Sequence, residues 1–232
     1  MVVAVVQARM SSSRLPGKVL ADVVGEPMIL RQLARVRAAE TVDRVIVATS
    51  LDASDDVLVS ALEAAGVEVF RGSLADVLGR YLDAARRAGV DRVLRLTADC
   101  PLADPDVIDA VVRAHDDQAD YASNVLTRTY PRGLDVESVT TSALERVAAV
   151  ASAEEREHVT LGIYRRPEEF GLVSVTQQED RSDLRWTVDL PSDLEFVRAV
   201  YAELLPSAPQ FRSSEIYALL ERRPDLRNVD QG

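Results

Sequence analysis

A regular change of period along the first half of the chain constrains the fold more than any other feature. Short β-branched runs, Val2–Val6, Arg44–Ala48, Glu68–Phe70 and Arg92–Leu96, alternate with helical periodicity near Met28–Arg37, Asp55–Ala65, Ala75–Ala88 and Pro105–His115. Short apolar runs bounded by polar turns, with helical crossovers between them, predict βαβ units and a mostly parallel, Rossmann-like three-layer α/β sheet. Ligands of such sheets bind beyond the carboxyl ends of the strands. The loop Gln7–Lys18 and the turns Ser50–Asp52, Arg71–Ser73 and Thr97–Pro101 therefore share one rim.

The alternation fades after Ser123. Segment 124–180 carries the extended runs Leu134–Val139 and Leu172–Val175, with helical stretches near Ser142–Ala151 and Ala153–Leu161. It reads as a β-hairpin and helix insertion that covers the rim and supplies a dimer contact. An extended Leu184–Val188 follows, then helices near Ser192–Leu204 and Ser213–Arg222. Pro105 and Pro191 fall at helix starts, where a missing N–H is harmless. No repeat or low-complexity linker interrupts the sequence, so residues 1–232 read as one domain.

Composition excludes several classes. The net charge of −11 argues against nucleic acid as the main ligand, because phosphate-backbone binding needs a basic face. No segment approaches the ~20 unbroken apolar residues of a membrane span. The start MVVAVVQARM lacks a basic leader and a cleavage site, and a single cysteine gives neither an intrachain disulfide nor a zinc motif. A cytoplasmic protein is expected.

The first forty residues reverse the global charge, with Arg9, Arg14, Lys18, Arg31, Arg35 and Arg37 against Asp22, Glu26 and Glu40. Arg31, Arg35 and Arg37 read as a solvated helix face. Arg14 and Lys18 sit in the loop, where they suit a small anion held in a cleft. Ser11, Ser12 and Ser13 add hydroxyl or backbone donors, Arg9 adds a further cation or a structural ion pair, and Gly17 permits a positive φ. The loop is neither G-x-x-x-x-G-K-[ST] nor G-x-G-x-x-G. A triphosphate held without either motif points to nucleotidyl transfer, which needs cations and Mg²⁺ more than covalent chemistry from the protein.

Asp99 follows Val93-Leu94-Arg95-Leu96 and precedes Pro101, a strand-end carboxylate suited to a hard cation, though turns also favour Asp. Asp189, before Pro191, reads equally well as a turn residue. Asp104 and Asp193 read as helix-start acids. Tyr130-Pro131-Arg132-Gly133 and Asp135-Val136-Glu137 gather charge on one hairpin, with 135 and 137 on one face. Arg128, Arg132, Asp135, Glu137, Arg156 and His158 are candidates for an acceptor, or else surface charges. His115 reads as solvent-facing, Cys100 as a neutral packing residue and Trp186 as core. Asp76 and Arg80 form either an ordinary i,i+4 helix pair or part of a base-recognition site.

The runs Gln7–Lys18, Gly25-Glu26-Pro27-Met28-Ile29, Thr97-Ala98-Asp99-Cys100-Pro101-Leu102, Gly133-Leu134-Asp135-Val136-Glu137 and Trp186-Thr187-Val188-Asp189-Leu190-Pro191-Ser192-Asp193-Leu194-Glu195 occur in this order over nearly the whole chain. Together they resemble the cytidylyltransferases that make CMP-activated acidic sugars, and among them the spore coat polysaccharide biosynthesis protein F branch. The stretch Arg71–Tyr81 resembles that branch as well. The resemblance implies a nucleotide-diphospho-sugar transferase-like fold and transfer of CMP from CTP to an acidic sugar or related oxygen nucleophile, with release of pyrophosphate. It implies Arg14 and Lys18 on the phosphates, and Asp99 and Asp189 on Mg²⁺. It also implies Ala8, Arg9, Gly72, Ser73, Asp76 and Arg80 near the base, a polysaccharide pathway and a homodimer. Another nucleoside triphosphate, a phosphate or phosphonate acceptor, and a non-catalytic nucleotide-binding scaffold are the alternatives.

Overall fold

β1 (Val3–Gln7) is buried on both faces, and this explains its unbroken apolar sequence. Ala4 and Val6 enter one core and Val3 and Val5 the other, as period two dictates. In the computed structural model, which describes residues 1–228, β1 is followed by α1 (Met28–Arg37), β2 (Arg44–Ser50), α2 (Asp56–Ala64), β3 (Glu68–Gly72), α3 (Val77–Ala88), β4 (Arg92–Thr97) and α4 (Pro105–Ala114). Then come β5 (Tyr121–Ser123), β6 (Glu137–Thr140), α5 (Thr141–Val150), α6 (Ala153–Glu157), α7 (Leu161–Tyr164), β7 (Leu172–Ser174), α8 (Pro191–Leu204) and α9 (Ser213–Arg222). The strands form one seven-stranded sheet of order β3-β2-β1-β4-β6-β5-β7.

β1 to β4 pair in parallel, and β6 alone runs against its neighbours β4 and β5. Helices α1, α4, α8 and α9 pack on one face; α3 and α5 pack on the other. The chain leaves β1 toward β2 and β3, then returns to its opposite side with β4. The β1–β4 boundary is thus a topological switch point, the place where open α/β sheets leave a crevice.

The structure corrects several expectations. The β-hairpin is wide and begins before residue 124: β5 and β6 are antiparallel and joined by residues 124–136, and Asn124 holds that span by bonding Leu134 O (2.7 Å) and Val136 N (2.9 Å). The helix expected over 153–161 is two helices, because Val159 takes φ +48° and breaks the turn. A β-branched residue is strained there; full burial of Val159 in the α3/α5 core offsets the strain. Residues 184–188 join no strand of the sheet. They are instead held by Arg132 and by the Asp99 carbonyl, which accepts from Val188 N at 2.8 Å.

Two side chains expected in solvent are inside. His115 continues the apolar face of Ile108, Val111 and Val112, and its ring lies between Ser138 Oγ (2.7 Å) and Ala119 O (3.0 Å). Burial pushes its pKa down. Arg35 is buried, donates to Ala103 O (2.7 Å) and stacks over Phe211 at 4.3 Å, and Arg31 lies over Tyr201; only Arg37 keeps the solvated role. Trp186 is core, and burial with the neighbouring Asp99 charge keeps the Cys100 thiol neutral.

Candidate active site

A cavity of about 350 Å³ opens at the carboxyl ends of β1 and β4. The loop after β1 contributes Ala8, Arg9, Ser12, Ser13, Arg14 and Lys18; β4 and its turn contribute Arg95, Thr97 and Asp99. Glu157 and His158 close it from the end of α6, and Asp189 from the segment before α8.

Gly17 adopts φ +74°, and the turn it makes starts a short 3-10 helix, Lys18–Leu20, whose first side chain points inward. The Lys18 ammonium donates to Val188 O (2.6 Å) and Asp189 Oδ1 (3.0 Å) and lies 3.7 Å from Asp99 Oδ2. Arg14 reaches the other Asp189 oxygen at 3.1 Å, and Arg185 reaches it at 2.9 Å. Burial works against ionisation of Asp189, but the hydrogen bonds and charges of Lys18, Arg185 and Arg14 outweigh it and hold the carboxyl below its usual range. Asp193, at the first turn of α8, accepts from the Asp189 and Leu190 amides at 2.9 Å each and so fixes the approach of the Asp189 backbone. Asp104 caps α4 through Asp106 N (2.8 Å).

Asp99 and Asp189, distant in sequence, therefore share one ammonium. Hard carboxylate oxygens with open cavity beside them suit Mg²⁺, which needs few protein ligands because it keeps several waters. Among the described residues there is no cluster of three or more His, Cys, Asp or Glu side chains that could hold a metal. The donor set available is this pair.

A second cavity of about 480 Å³ shares Arg95 and Thr97 with the first. Asp135 and Glu137 both line it, with Arg128, Val125, Leu126 and Tyr164. Arg128 pairs with Asp135 through two hydrogen bonds (2.6 and 3.0 Å). Glu137 pairs with Arg95 and accepts from Tyr121 Oη (2.7 Å) and Thr160 Oγ1 (2.9 Å). Arg132 lies apart, bridged by its backbone to Arg185, and Arg156 spans Asp76 (2.9 Å) and Ala148 O (2.9 Å).

Of the base-recognition candidates, Ala8 and Arg9 line the first cavity, whereas Gly72, Ser73, Asp76 and Arg80 line neither. Arg80 is buried, donates to Ser73 O and packs on Gly72; Asp76 caps α3 through Gly79 N (2.9 Å). The expected Asp76–Arg80 pair is absent among the described residues, since the N-cap geometry turns the carboxylate to Gly79 and Arg156. Ser11 lies outside the cavity wall as well. Sequence reasoning passes over Arg95 and Tyr164, and reaches Thr97 only as the start of the Thr97–Pro101 turn. A charge inside the apolar run Val93-Leu94-Arg95-Leu96 was the available signal for Arg95.

The architecture is that of a nucleotidyltransferase-like α/β fold with a polar cleft at its switch point. A family model described as cytidylyltransferase matches residues 3–217. The chain is 31% identical over 229 residues to the spore coat polysaccharide biosynthesis protein SpsF of Bacillus subtilis, covering 95% of this chain and 94% of the relative. A cytidylyltransferase structure from Leptospira borgpetersenii superposes with a TM-score of 0.93 at 30% identity, covering 100% and 98% of the two chains. The structure of CMP:2-keto-3-deoxy-manno-octonic acid synthetase complexed with CTP shares the fold, with a TM-score of 0.69 at 21% identity over 87% and 98% of the chains. The chain belongs to the cytidylyltransferase family.

Proposed function

We propose that this protein transfers CMP from CTP to a hydroxyl of an acidic sugar or related sugar-type acceptor, releasing pyrophosphate. The observation that carries this reading is the convergence of Arg14, Lys18, Asp99 and Asp189 on one wall of the first cavity. Two carboxylates alone would repel a triphosphate, and two cations alone would not hold a metal. Together they suit a metal–triphosphate complex.

In this reading Arg14 binds the β- and γ-phosphates through its planar fork and Lys18 as a point charge. Both leave Asp189 as they do so, which frees Oδ1 while Arg185 keeps its bond to Oδ2. Asp99 and Asp189 hold Mg²⁺, which supplies charge neutralisation at the phosphates when bound. Ala8, Ser12 and Ser13 orient the nucleotide along the end of β1. The acceptor enters from the second cavity, across the shared wall of Arg95 and Thr97, so that its oxygen meets the α-phosphorus in line. Arg128 is the nearest candidate to receive an acceptor carboxylate, in exchange for Asp135. His158 faces the first cavity from the opposite side and closes on the acceptor. A homodimer belongs to the same reading, and sedimentation at micromolar concentration tests it.

Thermal stabilisation by CTP, UTP, ATP and GTP, each with and without Mg²⁺, tests the nucleotide assignment, since a ligand of the folded state raises the midpoint with its concentration over Kd. The expected result is a selective response to CTP that Mg²⁺ enhances, followed by pyrophosphate release in the presence of acidic sugars. A preference for another base overturns CTP, and no response to any of the four overturns nucleotidyl transfer.

A further inference from the structure

We propose that Asp55, which touches neither cavity, is a positioning residue for nucleotide binding, acting through the Met10 peptide on Lys18. The proposal rests on the nucleotide reading above and adds a residue to it.

Asp55 ends the short 3-10 helix Ala53–Asp55 and is fully buried. A buried carboxylate is tolerated only where donors surround it. One oxygen, Oδ2, takes the hydroxyls of Thr49 (2.9 Å) and Ser50 and the Ser50 amide (3.1 Å), all at the carboxyl end of β2. The other, Oδ1, reaches across to the loop after β1 and accepts from Met10 N at 2.7 Å. These hydrogen bonds outweigh burial and hold the Asp55 carboxyl below its usual range.

The Met10 peptide ties the loop together. Its carbonyl accepts from Ser12 N (2.9 Å) and from Gly17 N (3.0 Å), so one residue fixes both ends of the segment between them. Gly17, so placed, takes the left-handed conformation that launches the Lys18 turn, and its carbonyl accepts from Leu20 N at 3.0 Å. The line of contacts thus runs from Asp55 to Met10, Gly17 and Lys18, and ends on Asp189 and Asp99. Its consequence is preorganisation: the cations meet a triphosphate from a fixed loop, without the ordering cost of a free one.

The test titrates CTP with Mg²⁺ into the full chain, for the unsubstituted protein, Asp55→Asn and Thr49→Val, with the melting temperature of each. Asn offers one acceptor oxygen instead of two, so either the Met10 or the Ser50 amide loses its partner. Thr49→Val removes a donor from the same carboxylate on the side away from the loop. Asp55→Asn is expected to weaken CTP binding about tenfold, whereas Thr49→Val lowers the melting temperature and leaves CTP affinity unchanged. Equal CTP affinity in Asp55→Asn and the unsubstituted protein overturns the proposal, as does a loss in both variants that merely follows their melting temperatures. Should Asp55→Asn fail to fold, amide exchange of the unsubstituted protein decides. Met10 N–H protected to the level of β2 supports the anchor, and exchange as fast as an open loop overturns it. Absence of CTP binding by the unsubstituted protein is a different result, overturning the nucleotide reading itself.

Discussion

The Lys18 ammonium stands 3.0 Å from Asp189, on the side of that carboxylate facing Asp99. In the proposed reading it thereby occupies the position that a divalent cation would share with the two acids. A metal entering alone must displace a lysine that also bonds Val188 O at 2.6 Å. Lys18→Met is expected to bind Mn²⁺ without nucleotide more tightly than the unsubstituted protein, while its CTP-dependent pyrophosphate release falls by about a hundredfold or more. Calorimetric titration of Mn²⁺ into both proteins measures the first effect. Equal affinities would refute the competition.

Asp99 contributes a side-chain oxygen to the cavity and a backbone carbonyl to the 187–188 segment. Asp99→Asn keeps the carbonyl and the shape but removes the charge. Pyrophosphate release is expected to drop about a hundredfold or more with little change in melting temperature. Turnover at the original rate would remove Asp99 from the proposed metal site.

Gly133 has φ +110°, and a Cβ there would stand 2.5 Å from Thr187 N and 2.6 Å from Trp186 C. Both neighbours are backbone and cannot rotate away. Gly133→Ala is therefore expected to destabilise the fold by about 2 kcal/mol or more, combining strain with the clash. Denaturant unfolding monitored by Trp186 fluorescence checks this. A change below half a kilocalorie or so would mean that the turn relaxes without cost.

His115 gives the stability a pH dependence of definite sign. Its Nε2 faces the Ala119 carbonyl, which only accepts, so Nε2 carries the proton and Nδ1 accepts from Ser138. Burial lowers the folded-state pKa, so as pH falls the unfolded chain takes up its proton first. The contribution is complete above the ordinary histidine value of about 6.5 and is lost as pH drops below it toward the folded value. Melting temperatures between about pH 7 and 5 should decline in the unsubstituted protein and decline less in His115→Gln. Parallel profiles would exclude His115 as the cause.

The strands and helices of the first half were legible because each buries a periodic face against its neighbours, as Val3 and Val5 against Ala4 and Val6 show. Asp99 was legible too, as a carboxylate ending an apolar strand. What escaped was set by distant partners. β5 is three residues long and exists through pairing with strands further along the chain, so local propensity scarcely marks it. Arg35 and His115 looked like surface residues until Phe211 and Ser138, both remote in sequence, covered them. Gly72, Ser73, Asp76 and Arg80 matched a familiar run of letters, yet that run caps α3 and packs on itself. Asp55 reads as part of a helix start, because nothing in the local pattern reveals that its acceptor is used by Met10.

The Asp99 carbonyl receives both Val188 N (2.8 Å) and Thr187 Oγ1 (3.2 Å). A main-chain bond, with the Thr187 hydroxyl beside it, thus sets the spacing of the two acids, and the chain between residues 100 and 188 leaves that point and returns to it. Within that excursion β6 is fixed by its pairing with β4, whereas Val125, Leu126, Arg128, Asp135 and Tyr164 line the second cavity. In the proposed reading, acceptor preference can change at those second-cavity residues while the bond at Asp99 keeps the two acids in place.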